Sequence, residues 1–198
     1  MKEHADDIIL CFDSYILELE ESNKWQTVSN TIYQNWKRNP LDLNLLLCAG
    51  TQLWYTRYMM DYLKDLPSTA NSIEYADNEM VESMLLTVST WGLEHFCDNA
   101  TFNAYFGYMF KVMPHFFGDY LTWHKEGISM MRKSVEIDPN NLFANAMAVE
   151  MDDYDKYYVE CKKLWERYSP SQWGRSGVQQ YFFRILCGES FYENAYDE

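Results

Sequence analysis

Histidine and cysteine are the residues that most often do chemistry in proteins, and this chain of 198 residues has only four histidines and five cysteines. None of them has the spacing of a zinc or di-iron site, such as HExxH, paired ExxH or CxxC. His95 and Cys97 are two residues apart, so on a helix they point to different sides. The local spacing therefore predicts no metal site, no cofactor and no catalytic residue.

Motifs for nucleophilic or phosphoryl chemistry are also absent from the sequence. There is no GxSxG elbow, and the eight glycines form neither GxxxxGK nor GxGxxG. The carboxylate pairs Glu20-Glu21 and Asp152-Asp153 are adjacent, and adjacent helical residues diverge by about 100°. We interpret these pairs as solvated faces, and residues 123–126 (WHKE) as a helix surface. A helical enzyme whose site forms only in three dimensions is the least favoured hypothesis.

Acidic residues give the strongest signal, because 30 Asp and Glu face 16 Lys and Arg, for a net charge of −14. Residues 65–110 contain no lysine or arginine at all. In this region we predict an anionic, partner-binding surface with an aromatic anchor and no cation to neutralise it. Its residues are Asp65, Glu74, Tyr75, Asp77, Glu79 and Glu82. The alternative is a hydrated face that contributes only solubility.

The charge and the cysteine usage restrict the partners and the compartment. Nucleic acids and anionic membranes need cations on the protein, so neither is expected as a partner, whereas a basic protein would be attracted. The apolar stretch 41–60 contains Asp42 and Arg57, which argues against a membrane span, and the N-terminus is too acidic for a signal peptide. Five widely spaced cysteines in apolar runs indicate buried thiols in a reducing cytoplasm.

Apolar residues recur with helical period along the whole chain, and no strand-like alternation is found. We predict an all-α domain over residues 1–188, followed by an acidic, aromatic tail at 189–198. One helix is expected at about 24–37, and another after Asp77, which should act as its N-cap with Glu79 in the first turn. The pairs Asn39-Pro40, Asp138-Pro139 and Ser169-Pro170 are each expected to open a helix directly.

The corner at Asp138-Pro139, in SVEIDPNN, resembles the close of a tetratricopeptide repeat, a unit of two antiparallel helices. Pro40 and Pro139 are 99 residues apart, which is close to three such units. Small or apolar residues fall at the family's positions before and after these prolines: Gly127, Met131, Ser134 and Ala49-Gly50. His115, Cys161, Trp165 and Tyr168 depart from the pattern. The fold is therefore expected to be either a tetratricopeptide-like array of helical hairpins or an irregular helical bundle.

Two functional hypotheses follow. In its acidity, size and lack of catalytic motifs the chain is similar to bacterial immunity proteins, which neutralise secreted toxin domains, and this resemblance implies a basic toxin domain, such as a nuclease, as the partner. The repeat resemblance implies instead a scaffold or chaperone that holds a client peptide on its inner helices, through residues such as Asn44, Tyr55 and Tyr105. The oligomeric state is not determined by these patterns.

Overall fold

The computed structural model describes residues 10, 12–64, 73–148, 154–167 and 175–187. Over these ranges the protein is all-α, as the periodicity predicted, and contains no strand. The α-helices are α1 (Ser14–Glu21), α2 (Trp25–Arg38), α3 (Leu43–Lys64), α4 (Asn78–His95), α5 (Ala100–Val112), α6 (Tyr120–Ile137), α7 (Leu142–Ala148), α8 (Tyr154–Arg167) and α9 (Gly177–Cys187). A short 3-10 helix, Pro114–Phe116, connects α5 to α6. The predicted tail at 189–198 lies outside the described residues.

Aspartate and asparagine side chains begin most of the helices. Each accepts a hydrogen bond of 2.9–3.1 Å from the backbone N–H three residues further on, where the helix would otherwise leave a donor unpaired. The six caps are Asp13, Asp42, Asp77, Asn99, Asp119 and Asn141. At α9 the cap is Ser176, which exchanges two hydrogen bonds with Gln179 in a capping box.

The two described Asx-Pro corners differ from the sequence prediction, because Asn39 and Asp138 end helices and do not begin them. Proline disfavours helical backbone in the residue before it and fits the second position of a turn. In both corners the residue before proline has left the helical conformation, and its carbonyl accepts from the N–H three residues later, at 3.1 Å. The N-caps are thus Asp42 and Asn141. Ser169-Pro170 lies outside the described residues.

Consecutive helices pack as hairpins, and the hairpins stack into an array. The pairs α3–α4, α5–α6 and α7–α8 pack against each other, and α3, α5 and α7 also pack side by side in one layer. The last helix, α9, packs against α3, α7 and α8. Its Phe182 ring lies 5.0–6.4 Å from one ring on each helix of the layer, namely Trp54, Tyr105 and Phe143. The inner face of the array is therefore covered by the chain's own helix.

Glycines allow the helices of the array to approach closely. A Cβ at Gly50 would lie 2.3 Å from the Phe106 ring, and one at Gly92 would lie 2.3 Å from the Phe102 ring. Between α5 and α6 the contact is backbone to backbone. A Cβ at Gly127 would lie 2.5 Å from the Lys111 nitrogen and 2.6 Å from the Gly107 oxygen. This last contact cannot be relieved by rotating a side chain.

We expect Gly127→Ala to lower the free energy of unfolding by about 2–3 kcal/mol, because α5 and α6 must separate to admit the new methyl group. Ser129→Ala, on the exposed side of the same helix, is the matched control and should change it by less than about 0.5 kcal/mol. Urea denaturation followed by far-ultraviolet circular dichroism measures both. Equal midpoints for the two variants would contradict the close α5–α6 contact.

Candidate partner-binding site

The segment before α4 carries the first predicted site residues and is fixed against the corner between α1 and α2. The Glu74 N–H donates to the Asn23 carbonyl at 2.9 Å, and the Trp25 N–H donates to the Glu74 carbonyl at 3.1 Å. The Glu74 carboxylate accepts from the Thr27 hydroxyl at 2.8 Å and lies 3.9 Å from the Lys24 ammonium. Glu74 is thus partly neutralised and serves to hold this segment in place.

Asp77 acts as the N-cap of α4, as the sequence predicted. Its carboxylate accepts from the Met80 N–H at 3.1 Å, and its own N–H donates to the Gln26 side chain at 2.8 Å. Asp77 is also exposed to solvent. Helix N-termini favour negative charge, which makes this position suitable for a carboxylate in the absence of any partner.

Glu79 and Tyr75 complete an exposed surface beside Asp77. Glu79 is exposed and forms no ion pair with any described residue, and Tyr75 is 50% exposed. All three residues line one open depression, which Lys64 of α3 also borders. We call Tyr75, Asp77 and Glu79 the acidic edge.

Glu82 differs from the acidic edge because a cation from another helix pairs with it. The Arg57 side chain of α3 is only 12% exposed and donates to Glu82 at 2.5 Å. The same guanidinium lies 2.6 Å from Asp61 and stacks over the Phe116 ring at 4.6 Å. Burial alone would lower the pKa of Arg57, but its hydrogen bonds to Glu82 and Asp61 raise it above its ordinary value.

The sequence prediction for this region therefore needs two corrections. We predicted no neutralising cation, because residues 65–110 contain none. In the structure, Arg57 of α3 pairs with Glu82, and Lys24, just before α2, lies close to Glu74. We also grouped Glu82 with the exposed carboxylates, and its side chain is instead half-buried against Arg57, with 35% of its surface exposed. Asp65 lies outside the described residues. The structure brings Tyr75, Asp77 and Glu79 together and gives Glu74 and Glu82 structural partners.

The different surroundings of Glu82 and Glu79 can be measured through the free energy of unfolding. We expect Glu82→Lys to lower the free energy of unfolding by about 1–3 kcal/mol, since it places a second cation beside the half-buried Arg57 guanidinium. Glu79→Lys should cost less than about 1 kcal/mol, because only a favourable helix-end charge is lost. Thermal and urea denaturation of the two variants provide the comparison, and equal losses would count against the Arg57–Glu82 pair.

The described histidines and cysteines pack against neighbouring residues or lie in the protein interior. His95 stacks on Trp91 with ring centroids 3.9 Å apart, and His124 Nδ1 lies 3.0 Å from the Lys111 carbonyl oxygen. Within the described ranges, no three His, Cys, Asp or Glu side chains are grouped so that they could hold a metal ion. Cys48 and Cys161 are buried and form no disulfide with a described residue, and burial raises the pKa of the Cys161 thiol to about 11. Cys97 is free and half-buried, which corrects its expected burial.

The inner-face residues that we proposed for peptide binding are only partly available. Tyr105 is fully buried, with its ring stacked on Phe143 at 4.0 Å, because α9 covers it. Asn44 is exposed at the start of α3, and Tyr55 is half-buried beside α9. Tyr105 is thus a core residue and not a ligand contact.

A second surface, of which the sequence analysis named only Tyr55, lies where α9 meets α3. A cavity of about 480 Å³ is bordered there by three half-exposed tyrosines, Tyr55, Tyr58 and Tyr181, which we call the aromatic groove. Their ring centroids are 5.8–6.4 Å apart in all three pairs. The signal for this surface was the tyrosine content of the two helices, but only the packing of α9 on α3 brings the rings together.

A buried carboxylate fixes the start of α9 next to the aromatic groove. Glu20, at the end of α1, accepts from the Gln52 side chain at 2.7 Å and from the Gly177 N–H at 3.0 Å. Burial raises the pKa of Glu20 above its ordinary value, although the two hydrogen bonds lower it. The folded protein therefore holds a proton on Glu20 more tightly than the unfolded chain does.

This shift makes stability depend on pH with a definite sign. The pKa of Glu20 is higher in the folded protein than in the unfolded chain, where it has its ordinary value of about 4.5. The free energy of unfolding therefore falls as the pH rises from below 4.5 through the higher, folded-state pKa. Glu20→Gln removes this titration and keeps an acceptor for Gly177. In urea denaturation at pH 4, 5.5 and 7, the free energy of unfolding of the variant should increase relative to that of the wild type as the pH rises.

Glu20→Ala is the control for the hydrogen bonds themselves. It leaves the Gly177 and Gln52 donors without their acceptor and should lower the free energy of unfolding by about 2 kcal/mol at pH 7. Parallel pH profiles for the wild type and Glu20→Gln would contradict a raised pKa for Glu20.

Comparisons of the chain with protein-family models, with curated proteins and with solved structures find no match. Among the helices of the described ranges, none has the length and apolarity needed to cross a membrane.

Proposed function

We propose that this protein is a non-catalytic, acidic binding protein of the immunity type, which binds and neutralises a basic toxin domain, such as a nuclease, in the bacterial cytoplasm. The observation that carries the proposal is the acidic edge, where two exposed carboxylates lie beside an exposed tyrosine without forming an ion pair to any described residue. Cys48, Cys97 and Cys161 form no disulfide with any described residue, which supports a reducing compartment.

The charges of the acidic edge are suited to fast capture of a cationic partner. With a net charge of −14, the protein attracts a basic surface over several ångströms, and such steering raises association rates. Asp77 caps α4 and Glu79 lies in its first turn, so the backbone that carries both carboxylates is already ordered before binding. Their carboxylates would occupy the positions that phosphates take in the cationic groove of a nuclease.

Tyr75 supplies the apolar part of the contact. It is 50% exposed and belongs to the segment that Glu74 fixes to the α1–α2 corner. Tyrosine buries a large area on binding for a small loss of conformational freedom, and it is enriched among residues that dominate binding energy. A site that combines two unpaired carboxylates with one anchored ring is therefore suited to a basic protein and not to a small anion.

The alternative function is a scaffold that binds a peptide segment of a client protein. Its expected site, the inner face of the array, is filled by α9. The aromatic groove beside α9 is the observation that favours this alternative, because it is an open surface of half-exposed rings.

The proposed function is tested with the product of the adjoining reading frame as the partner. We expect Glu79→Lys to slow association at least tenfold, since it reverses a charge in the acidic edge. Glu94→Lys is the matched control, because Glu94 is exposed near the other end of α4, and it should change the rate by less than twofold. Stopped-flow or surface-plasmon measurements at low and high salt give the rates.

Neutralisation is measured in the same system as loss of the partner's toxic activity at a one-to-one ratio. Equal effects of Glu79→Lys and Glu94→Lys would contradict the acidic edge as the binding site. A partner that binds but keeps its full activity would contradict the immunity function while leaving the binding surface intact.

A further inference from the structure

Large apolar side chains are exposed together at the tip of the α5–α6 hairpin. Val112 ends α5, and Tyr120 and Leu121 begin α6; they are 37%, 54% and 63% exposed. The described ranges contain ten exposed large apolar side chains, and three of them fall in the ten-residue stretch 112–121. Single exposed apolar residues are ordinary, whereas grouped ones mark interaction surfaces. We call Val112, Tyr120 and Leu121 the apolar tip.

The hairpin orders the backbone of the apolar tip before any partner binds. The ring of Tyr120 lies nearly parallel to that of His124, with centroids 5.7 Å apart, and His124 Nδ1 lies 3.0 Å from the Lys111 carbonyl oxygen. Asp119 caps α6 by accepting from the N–H and the hydroxyl of Thr122, at 2.9 and 2.7 Å. An ordered backbone lowers the entropy cost of binding.

The apolar tip and the acidic edge lie at the same end of the array. Along α3, Gly50 faces Phe106 and the later Arg57 faces Phe116, so α3 and α5 run in the same direction. Each of α4 and α6 packs back along the helix before it, so both begin at this end. The acidic edge lies at the start of α4, and the apolar tip lies at the start of α6.

One side chain links the two surfaces. The Arg57 guanidinium donates to Glu82, one turn after Glu79, and stacks over Phe116, four residues before Tyr120. An interface of ordinary size buries about 800 Å² on each partner and is about 30 Å across. The short contacts through Arg57 place both surfaces within that width, so one partner can contact both.

We infer that the apolar tip is the second half of the partner-binding surface, where the basic partner places an aliphatic or aromatic side chain on Tyr120 and Leu121 while its cations meet the acidic edge. Charge does not select the occupant of the tip itself, because Lys111 and Lys125 offset Asp119 there. Apolar contact is favourable in proportion to the area removed from water. This inference rests on the proposed function, because it assigns a further part of the same contact.

Rate measurements separate the apolar contact from the charges. Charges at the rim of an interface mainly change association, whereas close contacts mainly change dissociation. The probe is the product of the adjoining reading frame. Leu121→Ser should raise its dissociation rate at least fivefold at both low and high salt and leave its association rate within twofold, as measured by surface plasmon resonance on the full chain.

Leu41→Ser is the matched control. Leu41 is 64% exposed, as Leu121 is 63% exposed, but it lies between α2 and α3 at the opposite end of the array, so both rates should stay within twofold. Tyr120→Ala should raise the dissociation rate at least as much as Leu121→Ser, since tyrosine is enriched among the residues that dominate binding. If Tyr120→Ala does not fold, the comparison of Leu121→Ser with Leu41→Ser still decides the question.

The outcomes distinguish this inference from the proposed function. Equal dissociation rates for Leu121→Ser and Leu41→Ser, together with slow association of Glu79→Lys, would overturn the apolar tip and leave the acidic edge as the binding site. A wild-type chain that does not bind the probe would overturn both proposals. A wild-type dimer in sedimentation that Leu121→Ser dissociates and Leu41→Ser does not would assign the tip to a second copy of the chain and overturn the inference.

Discussion

The close packing of α5 against α3, α6 and α7 is the constraint on which the centre of the array depends. The Phe106 and Phe102 rings of α5 lie over Gly50 of α3 and Gly92 of α4, where any side chain larger than hydrogen would collide with them. Ten of its thirteen residues are buried, so α5 contacts a neighbour on nearly every side. This packing sets the distance between α3 and the later hairpins. It thereby places Trp54 and Tyr105 where the Phe182 ring can lie between them.

Local physical rules were sufficient to predict the helices but not the lengths of the corners. The helix expected at 24–37 is α2, shifted by one residue, and Asp77 caps α4 with Glu79 in its first turn, as predicted. The corners at Pro40 and Pro139 were misplaced because asparagine or aspartate before proline fits both a helix start and a turn. The restriction that proline places on the preceding residue decides for the turn, and the next Asx residue then caps the helix.

The candidate site was predictable only as far as it depends on residues close in sequence. The exposure of Glu79 follows from the apolar stripe of its own helix. The neutralisation of Glu82 does not, because Arg57 is 25 residues earlier on a different helix and approaches only through the packing of α3 on α4. The burial of Tyr105 has the same origin, since the ring is covered by a helix more than seventy residues later. Counting charges along a chain describes its long-range field, but ion pairs depend on the fold.

The acidic edge and the aromatic groove depend on opposite sides of α3 and on different forces. Arg57 and Tyr55 are two residues apart and therefore point about 200° apart around the helix. On the first side, Arg57 pairs with Asp61 and Glu82, whereas Asp77 and Glu79 are exposed. The attraction of these two carboxylates for a cation acts over a distance and weakens with salt. On the other side, ring contacts act only at short range and do not weaken with salt.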